Sequence, residues 1–380
     1  MYQLFEFGTM QVCEETAPFF PNLFSPKWMM KYPAIAFIIG ALILGGFLHT
    51  AVSANEAESE GFGLSDLATP GGRDLLPRPT VTGAWLWSDL VWFRDYRIQC
   101  HAVTGEHRLL DPRGFRRAWG TLVQCRDELN RIKKVEELEP LSGRAVVVLH
   151  GLLHSPGTME GLCDYIEENS DFTAVNVGYP SNLLKIEVHA RYLAHLMDEL
   201  EGFEEIDFVA HSMGNIVFRH YLKDRTDPET GRQGDPRIKR CVMLAPPNNG
   251  SVTASVLARN DFFITLFGRP GQELGVDWNH LAPQLAVPSF EFGVIAGGRN
   301  DERGYNPVLA GDDDGTVRVE GTKLPGMTDF RVVPSLHTFI MDHPKTRRYT
   351  LQFLETGYFE SPDTKQPLPD HGSPRDESRE

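Results

Sequence analysis

Ser212 lies in the stretch DFVAHSMGN, where an apolar run stops at a His-Ser pair. A small residue, Ala210 or Gly214, stands two places to either side of it. Downstream come an acidic run, Asp312-Asp313-Asp314 in GDDDGTV, and two histidines, His337 and His343, in SLHTFIMDHP. Serine, carboxylate and imidazole in that chain order suit nucleophilic acyl transfer. A hydroxyl is a weak nucleophile until an imidazole takes its proton. The imidazole in turn needs a carboxylate to fix its tautomer and to stabilise the cation it becomes.

The small neighbours have a physical reason. A serine on a sharp strand-to-helix turn has strained backbone angles, and bulky residues two before or two after it would collide with adjoining elements. Such a turn lifts the hydroxyl above the sheet and puts the Met213 amide at a helix N-terminus, where it can donate to a developing oxyanion. Alanine replaces the first glycine of the usual G-x-S-x-G and adds one methyl. A second donor is expected from the loop after VVVL, in His150-Gly151-Leu152-Leu153, with the Leu152 amide as the candidate. The plainer reading of His-Gly there is a simple turn.

Each partner has a competitor. Asp314 immediately precedes Gly-Thr-Val and His337 directly follows a strand, so these are taken as acid and base, over Asp312 and Asp313 and over His343. Three adjacent aspartates could instead hold a calcium ion or cap a turn, but one short run cannot supply the six to eight oxygens that calcium takes.

These residues need elements to position them, and from residue 143 the chain alternates regularly. RAVVVLHG is a continuous apolar run of the kind buried on both faces of a parallel sheet. FTAVNVGYP, EIDFVAHS, RIKRCVMLAPP, FEFGVIAGG and DFRVVPS are further strands, and helices fall between them. Lys185–Glu201 has an apolar face of Ile186, Tyr192, Leu193, Leu196 and Leu200. The pattern predicts an α/β fold, a mostly parallel central sheet with helices on both faces. Ser212, the acidic run and His337 all follow strand ends, on the rim where open α/β sheets carry their sites.

The remainder divides by composition. Residues 1–54 read as a signal-peptide region, 55–80 as a flexible leader, 81–142 as an extension packing on the core, 143–358 as the catalytic domain and 359–380 as a disordered tail. In the extension, Arg116–Leu138 has helical spacing. Trp85, Trp87 and Trp92 could cover a core edge or face a membrane. Within the main domain, residues 251–288 fall where a cap would be inserted. Phe262, Phe263, Ile264, Leu266 and Phe267 there could form a lid or acyl pocket, or simply cover the core.

The chain is similar to the α/β-hydrolase superfamily, in particular its bacterial lipase/esterase branch. The His-Gly loop, the A-H-S-M-G elbow and the D-G-T-V acid loop carry the resemblance, over about residues 143–358. It implies an α/β-hydrolase fold and carboxyl-ester hydrolysis through an acyl-enzyme. Ser212 would be the nucleophile, His337 the base, Asp314 the acid, and the Leu152 and Met213 amides the oxyanion donors. Ala210 and the extension depart from the family pattern. Thioester or amide hydrolysis, acyl transfer to an alcohol, and non-catalytic binding on the same fold are the competing readings.

Composition excludes other classes. The 380 residues carry 37 Lys+Arg against 52 Asp+Glu, a net charge of -15, which argues against a nucleic-acid partner. No G-x-G-x-x-G follows the first core strand and there is no P-loop, so no cofactor is expected. The expected partner is a small-molecule or lipid ester, with contact to a lipid interface. Pro33–Phe47 is apolar and uncharged, follows Lys27 and Lys31, and precedes the small-x-small pattern Val52-Ser53-Ala54. That describes an exported protein, periplasmic or secreted, better than a membrane-anchored one, and Met29 or Met30 would make a more ordinary start. Export permits disulfides, and Cys100–Cys125 is the preferred pair, against four buried free thiols.

Overall fold

A computed structural model describes residues 72–79, 84–250 and 261–369. Residues 1–54, read as a signal-peptide region, residues 55–71 of the stretch read as a leader, residues 251–260 of the stretch expected to form a cap, and residues 370–380 lie outside the described residues. Six strands form one parallel sheet: β6 Arg144–Leu149, β7 Phe172–Val177, β8 Glu205–His211, β9 Ile238–Leu244, β10 Glu291–Gly297 and β11 Asp329–Val333. Their order is β11-β10-β9-β8-β6-β7, parallel throughout.

Side chains alternate across a strand, so each one feeds two cores. Val147, Leu149, Phe208 and Ala210 face helices α3 (Ile186–Glu199) and α4 (Met213–Asp224). Val146, Val148 and Val209 face α2 (Glu160–Asn169) and α6 (Pro344–Thr356). Both faces are therefore covered, which is why the strands read as unbroken apolar runs. Phe208 is fully buried and stacks on Phe218 of α4 with ring centroids 4.1 Å apart. Burying one such side chain contributes about 1.5–3 kcal/mol. The chain enters this sheet at β6, runs out to β7, then returns to β8 on the other side of β6. That reversal opens a crevice beyond the carboxyl ends of β6 and β8. This is the α/β-hydrolase fold.

The extension is a second, antiparallel sheet of β1 Gly72–Pro79, β2 Trp87–Phe93, β3 Tyr96–His101, β4 His107–Leu110 and β5 Phe115–Gly120, in the order β1-β5-β4-β3-β2. Arg94 and Asp95 both take positive φ in the two-residue β2–β3 turn, as a hairpin matched to strand twist requires. Helix α1 (Leu122–Val135) starts later than its spacing suggested. Residues 116–120 pair with β4, and a reciprocal capping box of Thr121 and Gln124 sets the helix start. Strand β1 lies inside the stretch read as a leader. Trp92 is buried, Trp87 lies under the Arg108 guanidinium and meets the His101 ring edge-on, and of the three tryptophans Trp85 alone is exposed, so this cluster mainly covers a core edge.

Two expectations need correcting. Cys100 and Cys125 form no bridge, and the four described cysteines are separate buried thiols. Cys100 receives the Tyr192 hydroxyl of α3, while Cys125 lies fully buried on α1, where burial pushes its thiol up to about 12. Residues 359–369, read as part of a disordered tail, are tied to the core, because Asp329 of β11 accepts the Phe359 and Gln366 amides and Leu368 pairs with Met327. Among the described residues no helix is long and apolar enough to cross a membrane.

Asp207, fully buried in β8, accepts the Arg240 amide at 2.7 Å through Oδ1, while Oδ2 has no partner among the described residues. Burial pushes its carboxyl from 3.8 up to about 7. Between those values the native state holds a proton that the unfolded chain has released. This stabilisation is complete below about pH 4 and is lost as pH rises through about 7, at a cost of about 4 kcal/mol. Asp207→Asn is expected to melt close to wild type near pH 4 and well above it at pH 9. Thermal melts across that range check the prediction, and parallel curves would refute it.

Candidate active site

Ser212 joins β8 to α4 with φ 50 and ψ -120, a conformation that non-glycine residues adopt only where the surroundings force it. The surroundings are visible. The Ser212 amide donates to Leu244 O at 2.9 Å, and Asn215 Nδ2 donates to Ser212 O at 3.1 Å and Leu244 O at 3.3 Å. Gly214 packs on the end of β6, where a Cβ would come 2.8 Å from His150 O and 2.9 Å from the Leu149 side chain. That contact is why the residue two after the serine must be so small.

His337 follows β11 and begins a 3-10 turn, His337–Asp342. Its Nε2 lies 2.8 Å from Ser212 Oγ and its Nδ1 2.7 Å from Asp314 Oδ2. A carboxylate only accepts, so Nδ1 carries the proton and Nε2 offers its lone pair to the serine hydroxyl. The His337 amide also donates to Asp314 O at 2.9 Å. The other Asp314 oxygen, Oδ1, is held by the Thr316 and Val317 amides at 2.9 and 2.7 Å across a turn with Gly315 at φ 95. Ser212, His337 and Asp314 are all buried.

The competitors point elsewhere. Asp312 accepts the Arg299 and Asn300 amides at 2.7 and 2.9 Å, closing the loop after β10. Asp313 accepts the Asn306 and Gly315 amides at 2.9 and 2.7 Å, and burial raises its pKa. It is fully buried, not turned to water. The three carboxylates thus diverge, and among the described residues no cluster of His, Cys, Asp and Glu could hold a metal ion. His343 is an N-cap, its Nδ1 accepting the Lys345 amide of α6 at 3.2 Å.

Met213 is the first residue of α4, and Leu152 lies in the loop after β6. That loop presses on the elbow, since a Cβ on Gly151 would come 2.8 Å from His211 Nδ1 and 3.1 Å from Ser212 Cβ. Of the apolar patch in the stretch expected to form a cap, Phe267 is buried on helix α5 (Asp261–Leu274), which kinks at Gly268. The Phe262, Phe263, Ile264 and Leu266 side chains lie outside the described residues.

Sequence reasoning missed a layer of neutral imidazoles beneath the site. His211 is fully buried, and its Nε2 donates to His337 O at 3.1 Å. Burial holds its pKa well below the ordinary value, with His337 and His154 adding to the effect. Burial likewise lowers His150 to about 4 and His189 to about 3. Tyr179 stacks on the His150 ring at 4.1 Å, and its hydroxyl donates to His150 O. For His211 a signal existed, its place beside the serine; Tyr179 offered none.

No protein-family model and no curated protein matches the chain. Solved structures do resemble it. A Bacillus licheniformis lipase in its mature form is 18% identical with a TM-score of 0.43, over 58% of this chain and 95% of that one. A phospholipase from Legionella pneumophila is 18% identical with a TM-score of 0.44, over 57% of this chain and 60% of that one. A metagenomic carboxyl esterase is 16% identical with a TM-score of 0.39, over 52% and 67%.

Proposed function

We propose that the chain is a serine hydrolase cleaving carboxyl esters through an acyl-enzyme, with residues 143–358 as its catalytic domain. The observation that carries this reading is the relay from Ser212 Oγ through His337 to Asp314, at 2.8 and 2.7 Å. His337 Nε2 takes the Ser212 proton as Oγ attacks the carbonyl carbon. The Leu152 and Met213 amides receive the oxyanion, and Asp314 stabilises the imidazolium. Collapse expels the alcohol, which leaves with the proton from Nε2. Water then gives a proton to the same nitrogen as its oxygen attacks the acyl carbon; the bond to Oγ breaks, Nε2 returns the proton to Ser212 and the acid is released. Residues 1–54 would direct export, and residues 251–288 would cap the site.

The rim favours an apolar substrate or a lipid ester. Leu336, Phe339, Tyr305 and Val308 are exposed on the two loops that carry the acid and the base. Leu336 and Tyr305 flank Gly315, next to Asp314. Isolated exposed apolar residues need no explanation, whereas a group beside a reactive serine supplies a surface for an acyl chain. Nitrophenyl esters from acetate to palmitate test this. A kcat/KM optimum beyond acetate is expected; turnover of thioesters or amides in preference to every ester would replace the carboxyl-ester assignment.

A further inference from the structure

The antiparallel extension takes no part in the chemistry above, yet its hydrogen bonds lead to the loop carrying Leu152. Three carbonyls of that loop are held by the segment at and beyond the end of β7. Tyr179 OH donates to His150 O, Ser181 Oγ to His154 O at 3.3 Å, and Asn176 Nδ2 to Pro156 O at 2.8 Å. That segment is itself gripped by the extension. Asp89 of β2 pairs with Gly178 in both directions, its amide donating to Gly178 O at 2.9 Å and its Oδ2 accepting the Gly178 amide at 2.7 Å. Arg97 of β3 spans Asp89 Oδ2 at 3.2 Å and Asn176 O at 2.8 Å. Gln99 Nε2 fixes the other Asp89 oxygen at 2.7 Å, so the buried carboxylate has one orientation.

We propose that the extension sets the oxyanion loop, with Asp89 a positioning residue acting on Leu152 through Gly178, Tyr179 and His150. The proposal rests on the reading of Leu152 as an oxyanion donor. A carboxylate accepting a main-chain N–H is a strong, directional tether, and a donor misplaced by about 1 Å costs on the order of 10²-fold in rate. An extension serving only to cover apolar surface would need no buried charge aimed at one glycine amide.

The test is kcat per competent site, counted by titrating each protein to completion with a fluorophosphonate. Asp89→Ala and Tyr179→Phe are each expected to lower kcat per titrated site between about 10- and 100-fold with KM little changed. Tyr179→Phe keeps the ring on His150 and decides the matter if Asp89→Ala does not fold. Asp89→Asn, which keeps an oxygen for the Gly178 amide, should recover most of the loss. The double variant should fall no further than the worse single one, as expected for two steps of one route. Wild-type kcat per site in both single variants, or strictly additive losses, would overturn the proposal. A wild-type protein with no titratable serine would instead defeat the hydrolase reading beneath it.

Discussion

Ser212→Ala is expected to remove ester turnover, by about 10⁶ in kcat where a relay of this kind is operating. Only the hydroxyl oxygen is lost, and its one hydrogen bond runs to His337 Nε2. The elbow itself is held by main-chain and Asn215 contacts that alanine keeps. Losing one hydrogen bond costs about 0.5–1.5 kcal/mol, so the melting temperature should shift by only a few degrees. A folded variant with full activity would place the nucleophile elsewhere.

Asp314→Asn should come next, with a loss of about 10⁴ in kcat, or about 5 kcal/mol of transition-state stabilisation. The geometry says why an isosteric change is so costly. Oδ1 accepts two amides, from Thr316 and Val317, so the asparagine oxygen must occupy that position. Its NH₂ then faces His337 Nδ1 and donates to it. The ring proton is driven to Nε2, which can no longer accept from Ser212. Asp312→Asn and Asp313→Asn leave that contact alone and each keeps a side-chain oxygen to accept from its loop amides, so both should stay within about tenfold of wild type. Comparing kcat/KM for the three variants checks the assignment. If Asp313→Asn fell furthest, the acid would be one residue earlier.

The parts of this arrangement legible in the sequence were those that local chemistry dictates. β6 and β8 announce themselves because strands buried on both faces must be apolar without interruption. The elbow does so because Gly214 cannot carry a Cβ against His150 O. Asp314, whose carboxylate meets His337, is marked among the three adjacent aspartates by the turn through Gly315 that follows it. What failed depended on partners far along the chain. Strand β1 exists by pairing with β5, about forty residues on. Residues 116–120 carry a helical pattern but pair with β4, and the tail is tied down by Asp329. Tyr179 and Asp89 look ordinary in sequence, since the carbonyl and the amide they bond are brought near them only by the fold.

An activated Ser212 would be captured covalently by a phosphonylating reagent. The wild-type protein would be treated with a fluorophosphonate, its intact mass measured and the adduct mapped by peptide sequencing. One phosphonyl group on Ser212 is the predicted result, with labelling much slower in His337→Ala and unchanged in His343→Ala. An unmodified protein would mean that Ser212 is not activated, and an adduct on any other residue would place the nucleophile there.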